Sequence, residues 1–324
     1  MIEVKGLTKH FPVKSSLLEE EGVVHAVNGI DFSIHKGKTL GLVGESGSGK
    51  STTGRLVLRL LEPTSGQVHL DGKDISTISN RDFRKLRKEL QIVFQNPYSA
   101  LDYKMTIEDI LIQPLQIHKI VEPLSYKKEV HRLLHLVGLD RASAKKFPHE
   151  FSGGQRQRIG IARALATNPR FIVCDEPVSA LDVSVQSQIL NLTMELQQEF
   201  GLSYLFIAHD LHVIKHVSDE VAVMYLGKIV EMGEAEELFE SPLHPYTKAL
   251  IAAVPGQKEK KEAHRRLTGE IPSAIHLPSG CAFHTRCPFA MEVCTTNIPI
   301  LKTYGTRQVA CHLVEQESGG EVLG

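Results

Sequence analysis

Short apolar runs alternate along this chain with stretches that have helical periodicity. The strand candidates built on these runs are five to eight residues long and occupy positions 39–44, 91–95, 170–176, 203–210 and 221–227. Runs of this length that alternate with helical patterns are typical of buried strands joined by helices. The pattern therefore predicts an α/β fold with a mainly parallel sheet.

Two stretches carry their apolar residues at helical spacing. In the first, these residues recur every three or four positions: Val185, Ile189, Leu192 and Leu196. Asp182 stands just before them, at a position where an acidic side chain caps a helix. In the second stretch, the apolar face comprises Val130, Leu133, Leu134 and Val137. Gly138 follows as the predicted helix end.

The arrangement of these elements predicts the domain organisation. Residues 97–165 hold helical patterns without a strong strand, so we expect a helical subdomain inserted between two core strands. The charge run GQKEKKEAHRR at 256–266 marks a second boundary. The sequence thus predicts a core domain at 1–255 and a small cysteine-containing extension at 256–324.

Composition and charge reduce the number of partners and locations to be expected for the chain. The 37 Lys and Arg residues balance 38 Asp and Glu residues, so composition gives no electrostatic reason to expect a nucleic-acid partner. The N-terminal sequence lacks the apolar block of a signal peptide. The longest clear apolar run, VAVMYLG, has seven residues, whereas a membrane span needs about 20. We therefore expect a soluble chain that acts at a membrane only through a partner.

A glycine-rich segment follows the first predicted strand. It places Gly44 four residues before Gly49, Lys50 and Ser51, which is the G-x-x-x-x-G-K-S pattern of a phosphate-binding loop. Glycines let the backbone N–H groups approach phosphates at a helix N-terminus that already favours anions. The strand, loop and helix context favours this interpretation over a simple glycine-rich turn.

Two acids end another predicted strand, in RFIVCDEP. Asp175 is the candidate for the Mg²⁺ shell, and Glu176 is the candidate general base for the attacking water. Taken alone, this pattern also fits an ordinary strand end with a capping Asp. The phosphate-binding loop in the same chain favours the catalytic interpretation.

A second anion-binding helix start is predicted in FSGGQRQRIGIARAL at 151–165. Ser152, Gly153 and Gly154 precede this helix, and Gln155 lies in its first turn. One ATP does not need two such termini from one subunit. We therefore expect the second terminus to face a nucleotide held by another subunit.

With these motifs, the chain resembles the ATP-binding subunits of ABC transporters, and the match covers its whole length. The resemblance implies an ABC-type P-loop NTPase core and assigns each motif: GESGSGKST to Walker A, FSGGQ to the signature, RFIVCDEP to Walker B, SALD to the D-loop, Gln95 to the Q-loop, His209 to the switch histidine and Phe11 to an adenine-stacking aromatic. Taken alone, His209 also fits a core histidine, and Phe11 fits simple core packing.

The resemblance also implies a role for each site residue. One subunit would hold ATP through Phe11, Gly44, Ser46, Gly47, Gly49, Lys50, Ser51 and Thr52. A second subunit would close over it with its own Ser152, Gly153, Gly154, Gln155 and Asp182. Mg²⁺ would be bound by Ser51, Gln95 and Asp175, and hydrolysis would depend on Glu176, His209 and Gln95.

A narrower resemblance, to the oligopeptide/dipeptide and nickel branch of ABC importers, rests on four segments: SALDVSVQSQILNL, HDLHVIKHVSDEVAVMYLGKIVE, LHPYTKAL and the tail GEIPSAIHLPSGCAFHTRCP. It implies a second ATPase subunit, two membrane permeases and, indirectly, an extracytoplasmic peptide-binding protein. The chain would then lie at the cytoplasmic face of the membrane. One departure is Ala274, where the branch commonly has Pro.

Other functions stay open on the sequence alone. The same branch takes up nickel or other small solutes, and some ABC ATPases act on DNA or ribosomes without a transporter. The single cassette, the neutral charge balance and the lack of sustained heptads favour transport. A third alternative is a redox-sensing interaction module built around the tail.

The tail holds four of the five cysteines with the spacing C-x5-C-x6-C-x16-C: Cys281, Cys287, Cys294 and Cys311. Cys174 lies in a predicted core strand. A reducing compartment argues against disulfides, and zinc sites usually have tighter pairs. Loose spacing and Pro288 after Cys287 fit an iron–sulfur cluster, and the resemblance implies [4Fe–4S]; zinc and free or bridged thiols remain alternatives.

Overall fold

The computed structural model describes residues 1–13, 22–96, 100–253 and 269–319. The chain forms two compact units. Unit 1 comprises Met1–Ser33, Thr39–Ser76 and Ala208–Gly324, and unit 2 comprises Ile34–Lys38 and Thr77–Ile207. Among the described residues, no helix combines the length and the apolar character that crossing a membrane requires.

The strands follow the chain in this order: β1 (Ile2–Val13), β2 (Gly22–Ile34), β3 (Thr39–Val43), β4 (Ser65–Leu70), β5 (Lys73–Asp74), β6 (Leu90–Val93), β7 (Phe171–Asp175), β8 (Ser203–Ile207), β9 (Glu220–Tyr225), β10 (Lys228–Glu234), β11 (Lys302–Tyr304) and β12 (Arg307–Val309).

The α-helices are α1 (Lys50–Val57), α2 (Asn80–Leu86), α3 (Ile107–His118), α4 (Tyr126–Leu136), α5 (Gly153–Leu165), α6 (Val183–Phe200), α7 (Leu211–Val217), α8 (Ala235–Glu240), α9 (Pro245–Ala252), α10 (Glu292–Thr296) and α11 (His312–Glu317). Short 3-10 helices cover Pro123–Ser125, Arg141–Lys145, Pro148–Glu150 and His284–Arg286.

Unit 1 contains an antiparallel sheet near the N-terminus, with the strand order β2, β1, β4, β5. Strand β1 pairs with β4 so that Ile2 faces Leu70 and Val4 faces Val68. These four side chains are almost completely buried. The sheet therefore gains its stability from one apolar face, as antiparallel sheets commonly do.

A second set of strands in unit 1 runs in the order β3, β9, β10, β12, β11. Strand β3 is parallel to β9, with Leu40 opposite Glu220. The other three pairs, β9 with β10, β10 with β12 and β12 with β11, are antiparallel. Because Glu231 of β10 faces Val309 of β12, the last two strands of the chain are joined to the rest of unit 1 by strand pairing.

Unit 2 combines parallel strands with helices. Strand β7 lies between β6 and β8, with Val93 opposite Cys174 and Asp175 opposite Ile207. All five residues of β7 and all five of β8 are buried. Helices α3, α4 and α5 fall within the segment predicted to be helical and pack on one another, and α5 also packs on β6.

The structure confirms the predicted strands and helices. The five apolar runs correspond to β3, β6, β7, β8 and β9. The two periodic stretches form α6 and α4, with Asp182 as the N-cap residue of α6. Gly138, at φ 70°, follows the end of α4 in the left-handed conformation that ends many helices.

Candidate functional site

The glycine-rich segment forms a tight loop between β3 and α1. Gly44 has φ 151°, and a Cβ added there would lie 2.1 Å from the carbonyl oxygen of Met224. Gly49, the N-cap residue of α1, has φ 105°. Only glycine accommodates the contact at Gly44, so the predicted pattern has a local structural reason.

Lys50 lies inside this loop. Its side chain is only 5% exposed, and its Nζ donates to the carbonyl oxygens of Gly44 at 2.7 Å and Glu45 at 3.0 Å. Ser46 and Gly47 are exposed at the tip, whereas Ser51 and Thr52 are half-buried in the first turn of α1. The Lys50 ammonium group thus lies at the loop where backbone N–H groups already favour an anion.

Unit 2 brings the predicted base and the predicted Q-loop residue together. The Nε2 of Gln95 donates to Oε2 of Glu176 at 2.8 Å and to Oγ of Ser179 at 3.3 Å. The hydroxyl of Ser179 in turn donates to the carbonyl oxygen of Glu176 at 3.1 Å. Ser179 therefore belongs to this cluster, although the motif SALD alone does not predict a contact for it.

The backbone at Glu176 is held in an unusual conformation. Glu176 follows Asp175, the buried last residue of β7, and has φ 49°. Its N–H donates to the carbonyl oxygen of Ile207 at 2.9 Å. Left-handed conformations at non-glycine residues are uncommon and cluster at functional sites, so the strain is consistent with a constrained carboxylate.

The second predicted anion-binding terminus is the N-terminus of α5. Ser152 and Gln155 form a reciprocal capping box, with N–H to side-chain distances of 3.0 and 3.3 Å. Gly154 packs so closely that an added Cβ would lie 2.4 Å from Cγ1 of Val185. The side chains of Ser152 and Gln155 are exposed, so they are accessible to another molecule.

Three further predicted residues are described by their local surroundings. Phe11 is a half-buried residue of β1, and the Lys9 ammonium lies 5.0 Å from the centre of its ring. His209 is exposed just before Asp210, the N-cap residue of α7. Asp182, in unit 2, is exposed at the start of α6.

The four tail cysteines lie near one another in unit 1. The N–H of Cys281 donates to the carbonyl oxygen of Cys294 at 2.8 Å. Burial above all, and negative charge on Cys294, Cys311 and Cys287 to a lesser extent, raise the pKa of Cys281 to about 11. The four thiols are thus within electrostatic range, although among the described residues no group of three or more His, Cys, Asp or Glu side chains could hold a metal ion.

The fifth cysteine has a different environment. Cys174 lies in β7 and is 2% exposed. Burial raises the pKa of its thiol well above the usual range. Its role as a core residue agrees with the prediction from the strand pattern.

Sequence reasoning missed a contact between the phosphate loop and Arg286, which lies in the cysteine-containing segment. Arg286 donates two hydrogen bonds to the carboxylate of Glu45, at 2.6 and 3.0 Å. The N–H of Glu45 donates to the hydroxyl of Tyr246 at 2.9 Å. The segment LHPYTKAL is visible in the sequence, but no spacing rule connects it to residue 45.

Comparison with known proteins adds an independent line of evidence. Residues 27–179 match the family model described as "ABC transporter". Residues 230–294 match the model described as "Oligopeptide/dipeptide transporter, C-terminal region".

Curated relatives match nearly the whole chain. The oligopeptide transport ATP-binding protein AppF of Bacillus subtilis (strain 168) is 50% identical over 319 residues, which are 97% of each chain. The di/tripeptide transport ATP-binding protein DppF of Pseudomonas aeruginosa (strain UCBPP-PA14) is 46% identical and covers 98% of this chain and 99% of its own.

Solved structures share the fold. A dimeric post-hydrolysis structure of the ATP-binding cassette MJ0796 bound to ADP and Pi has a TM-score of 0.64 and 26% identity, covering 72% of this chain and 99% of that one. CbiO1 of Clostridium perfringens, part of an ABC transporter complex, has a TM-score of 0.64 and 28% identity, with coverages of 74% and 90%.

Proposed function

The chain belongs to the ABC transporter family, and from this premise we propose that it is the ATP-hydrolysing subunit of an importer for oligopeptides or dipeptides. The observation that carries the proposal is the likeness to peptide-transport ATP-binding proteins over nearly the full length, at 46–50% identity. This likeness includes the C-terminal region, which a bare ATPase core would not need.

ATP is the substrate that the phosphate loop fits. Lys50 would exchange its hydrogen bonds to loop carbonyls for bonds to phosphate oxygens, while Ser46, Gly47, Gly49 and Thr52 line the same loop. Phe11 would stack on the adenine. The Phe11 ring would bind the adenine and the charged loop would bind the phosphates, so the two contacts can be tested separately.

Magnesium fits the oxygen donors assigned to it. Ser51 offers a hydroxyl, Asp175 a carboxylate and Gln95 an amide oxygen, and hard cations prefer oxygen ligands. Because the Gln95 nitrogen donates to Glu176, the amide oxygen is the atom available to the metal. Bound Mg²⁺ would neutralise charge on the phosphates.

Glu176 would accept a proton from the attacking water. Gln95 holds one carboxylate oxygen of Glu176 and thereby orients the group. His209 would contact the γ-phosphate side. The exposed Ser152–Gln155 terminus, together with Asp182, would close over the nucleotide of a second subunit, so that two chains complete each site.

This arrangement implies membrane partners. The proposed domains are a core at 1–255, with the helical subdomain at 97–165, and an extension at 256–324. The helical subdomain would transmit ATP-driven closure to two permeases, and an extracytoplasmic binding protein would deliver peptide to them. The chain would therefore be peripheral at the cytoplasmic face of the membrane, with no role for nucleic acid.

Affinity purification from detergent-solubilised membranes tests the transport role. The tagged chain is expected to retain two permease subunits and a second ATPase subunit, identified by mass spectrometry. Peptide-loaded binding protein should raise the ATPase rate of the reconstituted complex. Stimulation by nickel-loaded binding protein instead would favour the nickel alternative, and stimulation of the chain by DNA or ribosomes would overturn the transport proposal.

We also propose that the four tail cysteines bind a [4Fe–4S] cluster rather than zinc. Cluster formation needs four thiolates in one place. The N–H of Cys281 donates to the carbonyl oxygen of Cys294 at 2.8 Å, and charge on Cys287, Cys294 and Cys311 acts on the pKa of Cys281, so the four residues are neighbours, although among the described residues their side chains are not arranged as a metal site. These residues lie on short helices and loops, which can wrap around a cofactor.

Protein purified anaerobically is expected to be brown and to contain about four iron atoms and four acid-labile sulfides per chain. Cys287→Ser should lower the iron content and the visible absorbance. Cys174→Ala is the matched control, because this buried thiol belongs to β7, and should leave iron content unchanged. A colourless protein with stoichiometric zinc would contradict the cluster assignment.

A further inference from the structure

Glu45, in the phosphate loop, is held through each of its polar groups. Its N–H donates to the Tyr246 hydroxyl at 2.9 Å, and its carbonyl oxygen accepts from Lys50 Nζ at 3.0 Å. Its carboxylate accepts two hydrogen bonds from Arg286, at 2.6 and 3.0 Å. One residue therefore connects the nucleotide-binding lysine to two residues that are distant in sequence.

The pair between Glu45 and Arg286 is poorly accessible to water. The Arg286 side chain is 6% exposed and that of Glu45 is 23% exposed. A bidentate pair between a guanidinium and a carboxylate fixes both position and orientation, and low solvent access strengthens it. The contact therefore constrains the conformation of the loop more than a surface ion pair would.

Tyr246 is itself rigidly placed. It is 0% exposed, and its ring centre lies 4.7 Å from that of Tyr225 and 5.3 Å from that of Phe283. Its N–H donates to Nδ1 of His244 at 3.0 Å. Because burial lowers the pKa of His244 to about 3, this imidazole stays neutral and accepts the bond at physiological pH.

The cysteine-containing extension positions Arg286. Arg286 ends the short helix His284–Arg286, immediately before Cys287. Phe283 is 1% exposed and packs edge-on against Tyr225 at 5.3 Å. A change in the fold of this segment would therefore move the guanidinium that holds Glu45.

We propose that Arg286 and Tyr246 are positioning residues for ATP: they hold Glu45, and through it the phosphate loop, in the shape that binds nucleotide. The C-terminal extension thereby sets the ATP affinity of the core. This inference rests on the proposed ATPase function and adds a role for two residues to which the family resemblance assigns no contact with the nucleotide-binding loop.

The test compares ATP affinity with turnover at saturating ATP. Arg286→Ala is expected to raise the KM and Kd for MgATP about tenfold while kcat changes less than about twofold, because the catalytic groups are untouched. Arg286→Lys should recover part of the affinity, since an ammonium keeps the charge but lacks the planar fork. Tyr246→Phe should weaken binding by a smaller factor.

Matched controls separate positioning from general damage. Lys302→Ala removes another ion pair of the extension, with Glu315, and should leave the Kd unchanged. In a double-mutant cycle, Glu45→Gln and Arg286→Ala should be strongly non-additive. Melting of the nucleotide-free proteins shows whether each variant is folded.

Several results would overturn the inference. Equal Kd values for wild type, Arg286→Ala and Tyr246→Phe would do so, as would additive effects in the cycle or an equal loss in Lys302→Ala. If Arg286→Ala does not fold, the Kd values of Glu45→Gln and Tyr246→Phe decide the question, and wild-type values in both would overturn the inference. A wild-type chain that binds no MgATP would instead refute the proposed function.

Discussion

Glu176→Gln is expected to bind MgATP with nearly wild-type affinity and to hydrolyse it about 10²–10⁴-fold more slowly, the range for loss of a general base. Glutamine keeps the size of the side chain but cannot accept a proton from water. The Gln95 amide can still bond the remaining carbonyl oxygen, so the cluster geometry should survive. Steady-state phosphate release, with ATP binding measured in parallel, checks this result.

The matched control for Glu176 is Glu89→Gln. Glu89 is also in unit 2, but its carboxylate pairs with Arg170, just before the start of β7. Loss of this partly exposed pair should cost about 1 kcal/mol of stability at most and leave turnover near wild type. Turnover in Glu176→Gln within about threefold of wild type would show that another group is the base.

The sequence predicted the strands that are buried on both faces. Residues such as Val173 in β7 and Val223 in β9 stand in uninterrupted apolar runs, so the pattern was sufficient there. Strand β1 was not predicted, because only one face of it is buried and exposed residues such as Lys5 interrupt the run. Strands β11 and β12 are only three residues long, too short for any period to be recognised.

The candidate site likewise has a part that the sequence predicted and a part that only the structure shows. Local spacing identified Gly44, Gly49 and Lys50, because a phosphate loop is built from neighbouring residues. The pair between Glu45 and Arg286 joins positions 241 residues apart, and only folding brings them together. Likewise, the sequence offered Ser152 and Gln155 as groups for a partner's nucleotide, whereas the structure shows that they also cap their own helix.

Lys50→Ala is expected to differ from Glu176→Gln, because it should lose both ATP binding and turnover. Hydrogen bonds to charged groups contribute about 1.5–3 kcal/mol each, so loss of two phosphate contacts should weaken ATP binding about 10²–10⁴-fold. Backbone N–H groups of the loop would remain, but they carry no full positive charge. Fluorescence titration with a labelled ATP analogue measures the change.

Thermal unfolding with and without MgATP separates this loss from misfolding. Ligand binding stabilises a folded protein by RT ln(1 + L/Kd), where L is the free ligand concentration, so the shift in Tm falls as Kd rises. Glu176→Gln should therefore show the wild-type upward shift in Tm, whereas Lys50→Ala should show none. Lys36→Ala, an exposed lysine just before β3, is the matched control and should keep the shift. If Lys50→Ala binds ATP with a Kd within about tenfold of the wild-type value, Lys50 is not the main phosphate contact. Lys50→Ala and Glu176→Gln together thus distinguish the group that holds ATP from the group that cleaves it.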